Sequence, residues 1–265
     1  MLINNFFRSF RSKDKVQLVV LGHQKGGTTA IANLIGRLTG LRVSSDPLYM
    51  MDYGQGEAAK SLIEQPDVLK VFLKRRPDLF LQSIVKDPDF IFVYPSIKNY
   101  YATAKFLFVV RNPLDTIRSI CNRLGLQPSV CTALTKIEDM KYGNKHWEYI
   151  LSGRLPNQGD ISSNLLVNLA HRWCLAAENY LNNEREIKLV KYEDFLSDKE
   201  GCIENVAHEL GLSKVVPVSD YLNVQYQSKG DSSLDLKKFF GVDNFLMIGK
   251  ICEKNMKKLG YELGV

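Results

Sequence analysis

Short apolar runs rich in Val, Ile and Phe alternate along the chain with longer segments in which apolar residues return every three or four positions. That alternation predicts an α/β fold of three layers, a parallel sheet flanked by helices. KVQLVVL (15–21) reads as a buried strand. TTAIANLIGRLTG (28–40) reads as a helix with Ile31, Leu34, Ile35 and Leu38 on one face, stopped by Gly40. FIFVY (90–94), KFLFVV (105–110) and IKLVKY (187–192) are predicted as further strands. Helices are predicted over 113–124, 163–181, 199–210 and 243–258.

Between these elements, 127–160 is polar, carries Pro128, Gly143, Gly153, Pro156 and Gly159, and has weaker periodicity. With strand signals on both sides, it is expected to be a substrate-side insertion or lid in a single domain spanning 15–265. Residues 1–14 form an aromatic, basic N-terminal extension. It would either fray or touch a membrane surface weakly as an amphipathic helix. No apolar run is long enough to cross a bilayer.

Composition adds little to the fold but narrows the function. The formal charge of +6 favours anionic partners, while the scatter of lysines and arginines argues against nucleic acid. The five cysteines are well separated, which fits a reducing, cytoplasmic setting better than a disulfide framework. The four histidines show no metal-ligand spacing, and no metal is expected.

The first chemical motif follows the first strand. Gly22-His23-Gln24-Lys25-Gly26-Gly27 has the glycine spacing of a nucleoside-triphosphate loop, but Thr28 stands where that loop has its lysine. The lysine sits inside the turn instead, at position 25. Strand, glycine loop and helix in that order aim backbone N–H groups at an anion. Gly26 and Gly27 allow close approach, Thr28 and Thr29 add hydroxyls, and Lys25 can reach an oxygen bridging two anionic groups.

FLFVVRNPLDTIRSI (106–120) is the second motif. Asn112 suits a helix N-cap, Pro113 the first helical position and Asp115 the acid of a capping box. Arg111 is thereby held at a strand end, and Ser119 two turns into the helix can converge with it on one phosphate.

Together these segments resemble the sulfotransferase family. HQKGGTTAI is similar to the family's 5′-phosphosulfate loop, P-K-[SG]-G-T-[TS], and VVRNPLDTIRS to its 3′-phosphate motif, R-[ND]-P-x-D-x-x-x-S. The segment 171–212 resembles the W…Y-E-D-[FL] element, and 251–263 the C-terminal helix. The resemblance implies a P-loop-NTPase-like sulfotransferase fold and transfer of a sulfuryl group from 3′-phosphoadenosine 5′-phosphosulfate (PAPS) to a hydroxyl or amine acceptor. It implies that Lys25 steadies the bridging oxygen while Gly26, Gly27, Thr28 and Thr29 hold the 5′-phosphosulfate. Arg111 and Ser119 would hold the 3′-phosphate, with Tyr192 near the adenine, Trp173 of the same region either stacking or simply packing, and Lys229 as a further 3′-phosphate contact.

The sequence departs from that pattern in two places. Gln24 replaces the usual proline, and the region FVYPSIKNYY lacks the K-x-H element of cytosolic members, with Val93 where the lysine is expected. Other members use a glutamate soon after the first helix, which makes Asp46 the candidate base and Asp52 the second. Asp46 precedes Pro47 and suits a turn equally well. His23, beside the loop, is expected to be structural. The 127–160 segment and loops near 46–60 would line the acceptor pocket, with Tyr49, Tyr53, Tyr100, Tyr101 and Trp147 as aromatic candidates. The acceptor itself, whether small molecule, carbohydrate or lipid, is not encoded in these motifs. Two other functions share the motifs: a nucleoside-triphosphate kinase, which would want lysine at position 28, and a non-catalytic module binding 3′,5′-ADP.

Overall fold

A computed structural model of the chain describes residues 16–128, 144–155, 162–224 and 235–263. Five strands, β1 (Leu18–Gly22), β2 (Val43–Ser45), β3 (Ile84–Lys86), β4 (Lys105–Val110) and β5 (Ile187–Lys191), form one parallel sheet in the order β2-β3-β1-β4-β5. The continuous apolar runs reflect burial on both faces. Leu18, Val20, Leu107 and Val109 face one layer, whereas Val19, Leu21, Phe106 and Phe108 face the other.

Helices α1 (Thr28–Thr39) and α6 (Lys199–Glu209) cover the first face. The second face meets α2 (Pro113–Leu124), α4 (Leu165–Leu181) and α7 (Val242–Lys258). Two shorter helices matter for the site, α3 (Lys145–Leu151) and α5 (Tyr192–Ser197). This is the expected α/β architecture, with helices on both sides of a parallel sheet.

One expected strand is a helix. FIFVY lies mostly within a 3-10 helix, Pro88–Val93, and Tyr94 opens the short helix Tyr94–Tyr100. Pro88 fixes the first φ, and the Asp87 side chain caps the turn by accepting from the Asp89 N–H at 3.0 Å. All six residues of that turn are buried, and a short, wholly apolar run carries no period that separates strand from buried helix. The strand before β4 is instead β3, which pairs with both β1 and β2. Among the described residues no helix is long and apolar enough to cross a membrane. The N-terminal extension lies outside the described residues.

Candidate functional site

β1 is the middle strand of the five, and the loop at its C-terminal end opens the site. The Gly26 N–H donates to the His23 carbonyl at 2.9 Å, closing a tight turn. Lys25 takes φ 64° and Gly27 φ 95°. The left-handed conformation costs a lysine roughly 1–2 kcal/mol, so the surrounding packing must hold it there. Burial, then the nearby charges of Arg123 and Arg111, bring the Lys25 pKa down to about 8. His23 is buried with Nδ1 against the Gln24 carbonyl at 2.9 Å, the structural role expected of it. Burial pulls its pKa down to about 4.

A pocket of about 230 Å³ opens beside the loop, lined by Lys25, Thr28, Thr29, Asp46, Lys86 and Arg123, with Gln24 and Asp89 beside them. Tyr49, Asn144, His146 and Trp147 also line it. The structure thus brings together Lys25, Thr28, Thr29 and Asp46. Asp46 directly follows β2, itself in the left-handed region at φ 53°, and its carboxylate accepts from Lys86 Nζ at 2.6 Å. Asp52 does something else. Its carboxylate accepts from the N–H groups of Gly54, Gln55 and Ala58, capping a turn and a helix.

Lys86 stands in no motif, at the end of a strand of only three residues. It closes β3, the strand that precedes β4 in the chain, whereas Val93 ends the buried 3-10 turn that follows. Asp87, beside it, is buried against Asp89 and Asp46, and burial first, then those carboxylates, hold its pKa well above the usual range. Of the aromatic candidates, Tyr49 and Trp147 line the pocket. Tyr53 is exposed, Tyr100 donates to Asp67, and buried Tyr101 donates to the Phe80 carbonyl. Trp147 and the unanticipated His146 arrive on α3, so part of the 127–160 stretch does face the pocket.

The second motif sits at the end of β4, next to β1. Asn112 caps α2 through the Leu114 N–H at 3.0 Å. Asp115 does not complete a capping box; it accepts from Arg118 at 2.7 Å and faces Arg111 at 3.7 Å. The Asn112 N–H instead donates to Glu193 at 2.9 Å, and the other Glu193 oxygen accepts from the Tyr261 hydroxyl at 2.7 Å. Trp173 Nε1 donates to the Arg111 carbonyl at 2.9 Å, so this indole holds backbone.

Tyr192 joins the two motifs. The Arg111 guanidinium lies 4.9 Å over its ring, and a Cβ on Gly27 would stand 2.1 Å from the ring's Cδ2. Ser119 falls one turn beyond Asp115 and one before Arg123, on a single face of α2. That face leads from Arg111 toward the pocket. Lys229 lies outside the described residues. A larger groove of about 610 Å³ beside Leu38, His208 and Lys214 contains none of these residues.

Two solved structures superpose on this chain along most of its length. A sulfotransferase from Alicyclobacillus acidocaldarius superposes with a TM-score of 0.51 at 14% identity, over 93% of this chain and 96% of that one. A second, from Mycobacterium tuberculosis H37Rv, gives 0.49 at 12% identity, over 90% and 80%. No family model and no curated protein matches the sequence. The first likeness shows that the chain has a sulfotransferase-type fold.

Proposed function

We propose that the protein is a PAPS-dependent sulfotransferase, moving a sulfuryl group to a hydroxyl or amine acceptor by in-line displacement. The observation that carries this reading is the pairing of two anion sites through one tyrosine. Lys25 with its glycine turn stands at the end of β1, Arg111 at the end of neighbouring β4, and Tyr192 between them. Such spacing suits a nucleotide bearing phosphate groups at both 5′ and 3′ positions.

The residues present fit that group. The positive φ at Gly27 and the tyrosine wall leave a cradle in which a Cβ would clash, and three cations, Lys25, Lys86 and Arg123, face one pocket. PAPS, when bound, supplies the sulfuryl group. Gly26, Gly27, Thr28 and Thr29 would hold the 5′-phosphosulfate end, and Arg111 with Ser119 the 3′-phosphate. Tyr192 would flank the adenine side, and Lys229 is retained as a further 3′-phosphate contact. Lys25 would neutralise charge growing on the leaving oxygen, with Lys86 as a second cation at the transferred group. Asp46, half exposed at the pocket wall, would take the acceptor's proton while holding Lys86 in place. No step in this scheme calls for a metal. The acceptor would meet the wall formed by Tyr49, His146 and Trp147, where Tyr49 packs edge-on against His146, and the reaction would take place in the cytoplasm.

Calorimetric titration with 3′,5′-ADP in the absence of magnesium tests the donor site. Saturable binding to wild type that Arg111→Ala weakens at least tenfold is the expected result. Binding that is absent, or indifferent to Arg111, sinks the reading.

A further inference from the structure

Beside the loop lies a buried polar cluster, two of whose members, Gln24 and Asp89, also touch the pocket, and which the proposed chemistry does not use. Gln24 is 8% exposed, Asp89 1% and Arg172 0%. The Gln24 amide donates to Asp89 Oδ1 at 2.8 Å and accepts from Arg172 Nε at 3.2 Å, while Arg172 Nη2 donates to the same Asp89 oxygen. The guanidinium is walled by Phe92 at 4.5 Å and Tyr149 at 5.5 Å from the ring centroids. The three residues come from the loop, the 3-10 turn after β3, and α4.

A buried ion pair is expensive to desolvate, and replacing it by apolar residues often leaves stability unchanged or better. Its retention therefore calls for another role, and the third member supplies one. Gln24 is the residue directly before Lys25, whose left-handed backbone must be held by its surroundings.

We infer that Gln24 is a positioning residue: its amide, clamped in both directions by the Asp89–Arg172 ion pair, fixes the backbone that aims Lys25 into the pocket. Both polar atoms of the amide are engaged, so the side chain has one orientation, and rotation of residue 24 would break two hydrogen bonds in a buried setting. The elements behind the loop thus determine where its cation points. This assignment rests on the donor reading above.

Gln24→Met keeps the length of the side chain, removes both hydrogen bonds and leaves the ion pair intact. The expected result is a five- to tenfold loss of 3′,5′-ADP affinity and a larger loss for PAPS, whose sulfuryl end would meet Lys25, together with a lower Tm from the unpaired Arg172 Nε. A merely structural role would lower Tm without separating the two nucleotides. Arg172→Lys preserves the charge on Asp89 but loses the Nε donor, and its effect should be non-additive with Gln24→Met. Nucleotide affinities of Gln24→Met within twofold of wild type overturn the assignment, as do equal losses for the two nucleotides. The Gln24→Met series alone decides the matter where Arg172→Lys does not fold. Wild type that binds neither nucleotide overturns the donor reading and this assignment with it. Wild-type binding that Gln24→Met leaves untouched overturns only the assignment.

Discussion

Lys86 Nζ lies 2.6 Å from Asp46 Oδ1, tying the ends of two adjacent parallel strands at the wall of the pocket. The backbone repeats the link, with the Asp46 N–H donating to the Lys86 carbonyl at 2.7 Å. The lysine side chain is 2% exposed and the aspartate 41%, so the cation is fixed and the carboxylate is open to whatever enters. Asp46→Asn should leave 3′,5′-ADP affinity within about threefold. The substitution should also lower Tm, because it leaves the buried Lys86 ammonium without its carboxylate partner. Transfer should fall about a hundredfold or more if the carboxylate takes the acceptor's proton. Release of 3′,5′-ADP from PAPS, measured with an acceptor found by screening, checks this. Full activity in the variant removes Asp46 from the chemistry.

Gly27→Ala should damage the site more than its size suggests. The added methyl would meet the Tyr192 ring at 2.1 Å while the backbone sits at φ 95°, a conformation that costs a residue with a Cβ roughly 1–3 kcal/mol. Either the loop or the tyrosine must move, and Arg111 stacks on that tyrosine. Titration should show loss of 3′,5′-ADP affinity of at least tenfold, accompanied by a lower Tm. Unchanged binding would show that loop and tyrosine adjust independently.

Donor binding should weaken in alkaline solution. The Lys25 pKa is about 8 in the free protein, lowered chiefly by burial and then by Arg123 and Arg111. An anion beside the ammonium favours its charged form and raises that pKa in the complex. The contribution of Lys25 is therefore full below about pH 8 and declines as pH rises from there toward the bound-state value. Affinity for 3′,5′-ADP measured from pH 7 to 9.5 should fall by up to tenfold per pH unit above 8. Lys25→Met should bind more weakly at pH 7 and show a flatter profile.

How much of this was legible beforehand follows from how local each signal is. The strand, glycine turn and helix from 15 to 40 announce themselves, because an apolar run, glycine spacing and a 3.6-residue period lie side by side. Arg111 and Tyr192 were found the same way, each within its own motif. Lys86 was not. It ends a strand of three residues whose neighbour in the sequence, FIFVY, is more apolar and drew the strand assignment to itself. His146 and Trp147 reach the pocket on a seven-residue helix with no motif. Asp115 had the right spacing for a capping box, yet Glu193, remote in sequence, accepts the Asn112 N–H. Sequence spacing records local partners only, and these partners are tertiary.

The Glu193 carboxylate also says something about how the molecule is made. Asn112 leans on Glu193, and Glu193 on Tyr261. During synthesis the Arg111 corner of the site therefore lacks its supports until β5, α5 and finally Tyr261, beyond α7, have left the ribosome. The Lys25 turn closes early between His23 and Gly26, contiguous in the chain, whereas the clamp on Gln24 waits for Arg172 in α4. A nascent polypeptide thus carries a bare glycine turn and an unguarded β4 edge until β5 and the helices around it emerge.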